Sequence, residues 1–320
     1  MTIKSAVILA AGKGSRLHKL TESRSKAMLP IVGKPLLERV IAPLIFNGIT
    51  DFIIVTNPSD NQLINYFTNE CRLDIQIDFV FQEIARGTAH ALYAAAPYIH
   101  QDFILSACDN LLPTAHIRKV INKWITNQPL NGILSLMVVD KEKFFNTAMV
   151  KMTDHYITHI IEKPSRDALV TNISSIPLYC FSPQILNYLE DLPISKRGEF
   201  EIQDAIQMLI VNDGLVIGVF ANHRLTITNP KDLLYANKLY LNQYKYRTNK
   251  IFGSIGSNSK VIPPVHIEEG SIVGKSCSIG PNVYIESGSI IEDHVMIRDS
   301  VLLHGVRVVQ GSTIQNQILG

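Results

Sequence analysis

The stretch ILAAGKGSR near the start of the chain carries residue types suited to binding a polyphosphate. Gly12 and Gly14 lack a Cβ, so the backbone there can come close to an anion, and successive N–H groups can cradle its oxygens. The candidates for that cradle are Leu9, Ala10, Ala11, Gly12, Lys13 and Gly14. Arg16 adds a planar fork of donors, and Lys26 a point charge for a second phosphate. A bare GxG followed by arginine is common. The Walker pattern GxxxxGK[ST] is absent, and so is the third glycine of a dinucleotide fingerprint.

Such a loop needs a sheet to carry it. Apolar, β-branched runs of buried-strand length occupy 5–9, 51–56, 75–81, 102–106 and 132–139. Helix-period stretches lie between them at 35–47, 61–69, 88–98 and 115–126. The alternation predicts βαβ units and a mostly parallel, Rossmann-like sheet, with ligands beyond the carboxyl ends of the strands. A polar helix over 230–247, with Pro230 in its first turn, closes this domain, and the boundary falls near residue 250.

Beyond it the pattern changes to period six. Ile255, Val261, Ile267, Val273, Ile279, Ile285, Ile291, Ile297, Leu303 and Val309 are all branched aliphatics. At 46% hydrophobic content, such a run arises by chance about four times in ten thousand per phase. Positions four residues on are mostly small or valine. The repeat predicts a left-handed parallel β-helix over 251–320 with an aliphatic column inside, and a cap in the final IQNQILG.

Composition sets outer bounds. Charged residues make up 18% of 320 and the net charge is +2, which gives no broad field for nucleic acid or membrane. Four scattered cysteines lack CxxC spacing, so neither a zinc site nor a disulfide framework is expected. The apolar run 6–11 is too short for a signal core or a membrane span. A cytoplasmic protein is expected.

The whole string ILAAGKGSRLHKLTESRSKAMLPIVGKPLLERV resembles the signature of sugar-1-phosphate nucleotidyltransferases, the NDP-sugar pyrophosphorylases. Long glucose-1-phosphate thymidylyltransferases with a hexapeptide tail are the nearest pattern. The resemblance implies transfer of a nucleotidyl group from an NTP, UTP or dTTP, to a sugar 1-phosphate, with Mg²⁺ as cofactor. It implies that Arg16 holds the β,γ-phosphates, Lys26 the α-phosphate and Lys163 the sugar phosphate. In FQEIARGTAHA it places Gln82, Gly87 and Thr88 at the pyrimidine edge, with His90 beside them; His18 and His90 would pack or hydrogen-bond on the base side. Asp109 in FILSACDN falls at the Mg²⁺ position, and one carboxylate with phosphate oxygens suffices to begin such a site. Glu162 in HIIEKP matches the sugar-hydroxyl acceptor, and Glu201 in GEFEIQDA is a further sugar contact. Asp204 could equally be a first-turn helix charge.

The sugar half departs from the pattern. Thr147 lies where relatives have Tyr-Gly-Val, and Ser175-Ile176-Pro177 replaces Asn-Ala-Gly. RLTITNP puts Thr226 at the second metal-binding aspartate, and a hydroxyl is a poorer Mg²⁺ ligand than a carboxylate. A rival reading is a catalytically silent relative that binds nucleotide or sugar phosphate and regulates a partner. A third makes the tail an acetyltransferase, but ten hexads form only about three coils. The tail is read instead as an oligomerisation element, and a homo-oligomer is expected.

Overall fold

The computed structural model describes residues 3–12, 14–140, 147–165, 171–243 and 248–320. Strands β1 (Ser5–Leu9), β2 (Asp51–Thr56), β3 (Gln76–Phe81) and β4 (Phe103–Ala107) run parallel in the order β3-β2-β1-β4. β1, β2 and β4 are near-continuous apolar runs, as parallel strands covered on both faces require. β5 (Gly132–Val138), β6 (Ala148–Thr153), β7 (Tyr156–Glu162), β8 (Ile173–Phe181) and β9 (Val216–Phe220) continue the sheet as β4-β8-β5-β9-β7-β6. Here β8 is antiparallel to β4 and β5, β7 is antiparallel to β9 and β6, and only β5 and β9 pair in parallel. The expected parallel sheet is therefore the N-terminal half of a mixed one. A two-residue turn at Asp154-His155 joins β6 to β7, a connection too short for a parallel crossover.

The helices are α1 (Leu36–Phe46), α2 (Thr88–Ala95), α3 (Thr114–Thr126), α4 (Ile202–Asn212) and α5 (Pro230–Leu241). The helix expected over 61–69 is one α-turn, Asn61–Asn65, followed by a π-turn, Tyr66–Glu70. α5 begins with a capping box between Asn229 and Asp232 and ends at Leu241; residues 244–247 of the expected helix lie outside the described residues. No described helix is long and apolar enough to cross a membrane. The four cysteines form no disulfide.

By contacts the chain forms two compact units, residues 1–13 with 40–224 and residues 14–39 with 225–320. In the first, α4 sends Ile202, Ala205, Ile206 and Leu209 into the core at helical spacing. They join Val7, Leu134 and the ring cluster Phe103, Tyr179 and Phe181, whose centroids stand 5.7 to 6.2 Å apart.

In the second unit, short strands stack into three parallel ladders. Val265 pairs with Val283, a repeat of eighteen residues, but Tyr284 pairs with Val301, a repeat of seventeen. The strict six-residue column therefore fails at its end. Leu302 and Val308 occupy the core in place of Leu303 and Val309, and Val309 is 61% exposed. The turns at 262–264 and 280–282 contain proline and three residues; the turn Arg298-Asp299 has two, which shifts the phase. Ser300, fully buried, then takes the small-residue position expected of Val301. The final residues are not a cap. Ile314 pairs with Ile297, and Leu319 with Leu302, so the ladders run about one coil beyond the three expected.

Candidate active site

β1 delivers the phosphate-loop residues. The chain stays tied to both neighbouring strands as it leaves the sheet: Cys108 N donates to Leu9 O at 3.1 Å, and Ala10 N to Val55 O at 2.7 Å. Ala10 is buried, Ala11 half-buried and Gly12 exposed, with open space where its Cβ would be. Lys13 lies outside the described residues. In the second unit Gly14 has φ +63°, and a Cβ there would come within 3.2 Å of the Lys26 Cβ. Absence of a side chain at Gly14 thus lets the loop pack against Lys26, which begins a 3₁₀ turn, Lys26–Met28. Arg16 and His18 are exposed.

In the first unit, the strand-to-helix segment 82–90 holds the Gln82 side chain between uncharged partners. Gln82, 4% exposed, donates from Nε2 to Gly87 O at 3.2 Å and to His90 Nδ1 at 2.8 Å. This fixes the amide orientation, because a flipped amide would set two acceptors face to face, and it puts the His90 proton on Nε2. Burial, then the Arg86 cation, pushes the His90 pKa down. Gly87 has φ +112°, and a Cβ on it would collide with Phe200 O and lie 2.6 Å from Phe200 N. Phe200 N donates to Arg86 O, and Ala89 N to Phe200 O, so the segment is strapped to the entry of α4. Thr88 Oγ1 accepts from Ile202 N at 3.1 Å.

A second group in the same unit is charged. Glu162 ends β7, and the next residue, Lys163, has φ +43° while its N–H donates to Thr147 O at 3.2 Å. Glu201, 4% exposed, precedes α4. Between the two glutamates stands Arg197, with Nη1 2.8 Å from Glu201 Oε1 and 3.5 Å from Glu162 Oε1. Lys163 Nζ is 3.8 Å from Glu162 Oε1. Burial raises the Glu162 pKa to about 7, helped by the Glu201 carboxylate and opposed by Lys163 and Arg197. Burial raises Glu201 and Asp204 as well. Asp204 lies in the first turn of α4, the structural alternative open to it from the sequence.

Ser175 is buried on β8, and its Oγ sits 2.7 Å from the Tyr179 hydroxyl across the irregularity at Pro177. Its hydroxyl is committed to that bond. Burial pushes the Tyr179 phenol upward and the Arg224 guanidinium downward; Arg224 also feels Tyr179 and the half-buried Asp109, which follows β4. In the second unit Thr226 Oγ1 is buried and has no hydrogen-bond partner among the described residues.

Sequence reasoning missed Arg197, Tyr179 and Arg224. Only Arg197 left a signal, a cation directly before the GEFE string whose last glutamate it binds. No group of three or more His, Cys, Asp or Glu side chains among the described residues could cage a metal. A single aspartate such as Asp109 fits an ion that keeps phosphate oxygens and water in its shell, as Mg²⁺ does.

Residues 5–243 match the family described as Nucleotidyl transferase, and residues 261–320 match the GMPPB C-terminal domain. The bifunctional protein GlmU of Methanococcus maripaludis is 31% identical over 84% of this chain and 61% of its own length. The chain thus spans about three fifths of that relative. A UTP–glucose-1-phosphate uridylyltransferase, AglF of Haloferax volcanii, is 31% identical over 71% of this chain and 92% of its own. Among solved structures, a UDP-glucose pyrophosphorylase complexed with UDP-glucose superposes with a TM-score of 0.67 at 21% identity, covering 74% of this chain and 98% of that one. That likeness speaks to the fold.

Proposed function

Because the chain belongs to the nucleotidyl transferase family, we propose that it joins an NTP to a sugar 1-phosphate and releases pyrophosphate. The observation that carries this reading is the presence, within one unit, of an amide held by uncharged partners at Gln82, Gly87 and His90 and of a charged cluster at Glu162, Lys163, Arg197 and Glu201. The amide nitrogen of Gln82 is spent on Gly87 and His90, so its Oε1 is the group left to meet a base. An acceptor there suits the N3–H of uracil or thymine and opposes the bare ring nitrogens of adenine and cytosine. UTP and dTTP are the proposed donors.

The sugar phosphate oxygen attacks the α-phosphorus in line as pyrophosphate departs, so the protein's task is positioning and charge neutralisation. Backbone N–H groups from Leu9 to Gly14 cradle the triphosphate, Arg16 takes the β,γ-phosphates and Lys26 the α-phosphate. Lys163 holds the attacking phosphate. Glu162 and Glu201 accept sugar hydroxyls, and Thr147 and Ser175 line the altered sugar side, Ser175 by fixing Tyr179. Asp109 holds Mg²⁺, whose charge offsets the triphosphate. No side-chain nucleophile enters.

The domains are 1–250 for transfer and 251–320 for a left-handed β-helix, the latter supported by parallel rungs of about eighteen residues. Outward Ile272 and Ile290, 50% and 37% exposed and paired in one ladder, suit self-association. Unbridged cysteines suit the cytoplasm. Pyrophosphate release from four NTPs crossed with a panel of sugar 1-phosphates tests the reading; release with UTP or dTTP and one sugar supports it. Thr226 favours the second reading, a silent binder, which predicts nucleotide binding with no release from any pair.

A further inference from the structure

The second unit contains an open cavity of about 490 Å³, lined by none of the residues given a role above. That volume lies in the range of small-molecule sites, about 300–1,000 Å³. One wall is the turn Val32-Gly33 with Lys34; the other is Lys250, Phe252, His266, Glu268 and Glu269 of the ladders. The turn is fixed in place. Asn237 Oδ1 accepts from Val32 N at 2.9 Å, its Nδ2 donates to Pro30 O, and Arg39 donates to both Ile31 O and Val32 O. The opposite wall is equally set: both Glu268 oxygens are engaged, by the Tyr284 hydroxyl at 2.7 Å and by Ser287 N at 3.0 Å.

Three rings form a row, Phe252 to His266 at 5.9 Å and His266 to Tyr284 at 5.7 Å. The outermost, Phe252, is 64% exposed. Burial, with the cations Lys250 and Arg39, pushes the His266 pKa down to about 4, so the ring is neutral near pH 7. An exposed ring at the end of an aromatic row offers stacking to a flat heterocycle. Two ammonium groups line the cavity, Lys250 and Lys34, the latter 3.0 Å from Glu38 Oε1; they suit an anion, and exposed Glu269 suits a sugar hydroxyl.

We propose that this cavity is a second nucleotide site, binding a nucleoside phosphate with its base on Phe252 and its phosphate between Lys34 and Lys250. Equilibrium dialysis of radiolabelled UMP and AMP against the full chain tests this, with ribose 5-phosphate as competitor. Two classes of site are expected with UMP, and the cavity class alone with AMP. Phe252→Ala and Lys250→Glu should each weaken one class at least tenfold with unchanged thermal midpoints, while Lys26→Ala, at the proposed α-phosphate position, should weaken only the other. A single class for UMP in the wild type, or two classes in both cavity variants, overturns the proposal. Ribose 5-phosphate competing as well as UMP also overturns it, because the base would then contribute nothing. If Lys26→Ala leaves every class intact but Phe252→Ala removes one, this site stands and the active-site reading falls.

Discussion

The base end and the sugar end of the candidate site are built from opposite materials. Around Gln82 the bonded partners are neutral, one backbone carbonyl and one imidazole, and a glycine is required by shape. Around Glu162 two cations, Lys163 and Arg197, and a second carboxylate, Glu201, crowd one carboxyl whose pKa is raised to about 7. The contrast implies that base selection rests on fixed geometry and is indifferent to pH, whereas sugar binding depends on ionisation.

The largest effect breaks the comparison from outside, by removing the charge both ends share. Asp109→Asn should cost several kcal/mol of transition-state stabilisation, about a hundredfold or more in turnover. Saturation kinetics should show the loss with either substrate in excess. Next, Gly87→Ala places a Cβ against Phe200 backbone at φ +112°. It should destabilise the fold by about 1–3 kcal/mol, read from denaturant midpoints, and spoil UTP binding more than sugar binding. Gln82→Ala removes the acceptor facing the base; it should cost about 1–2 kcal/mol with UTP and bring ATP and UTP rates together.

The smallest effect tests the charged end. The folded Glu162 carboxyl titrates near 7 against an ordinary 4.5, so between those values the folded state keeps a proton the unfolded chain has lost. Its contribution to stability is therefore present at low pH and lost as pH rises through about 7. Glu162→Gln should flatten that fall in thermal midpoint. In the wild type, KM for the sugar 1-phosphate should drop as pH rises through 7 by a few-fold more than in Glu162→Gln, which retains the substrate's own phosphate titration near pH 6. KM for UTP should not follow. An equal slope in both proteins would erase the proposed contrast.

Much of this was legible beforehand because it is written in local patterns. β1 and β2 run over the expected residues, since buried parallel strands are short apolar runs with sharp polar ends. The antiparallel half was not, because β6, β7 and β8 alternate only weakly and their pairing depends on the turn at Asp154 and the irregularity at Pro177. The aliphatic column was legible until a turn lost one residue, which moves every later side chain by one position. Gln82 was legible only as a candidate, and its bond to His90 was not legible, because contacts across a strand-to-helix turn depend on φ values that sequence does not print. Arg197 was passed over for a similar reason: its worth lies in bringing Glu162 and Glu201, 39 positions apart in the chain, to one guanidinium.

The most direct test of the central claim, direct transfer between two bound substrates, is exchange of radiolabelled pyrophosphate into UTP. Run without sugar, with a sugar 1-phosphate, and with the corresponding NDP-sugar, it separates the possibilities in one assay. A site with no covalent nucleophile predicts no exchange from UTP alone and rapid labelling once pyrophosphate and the NDP-sugar are both present. Labelling from UTP alone would mean a nucleotidyl-enzyme and contradict the account; no labelling with any NDP-sugar, while UTP still binds, would mean a silent binder.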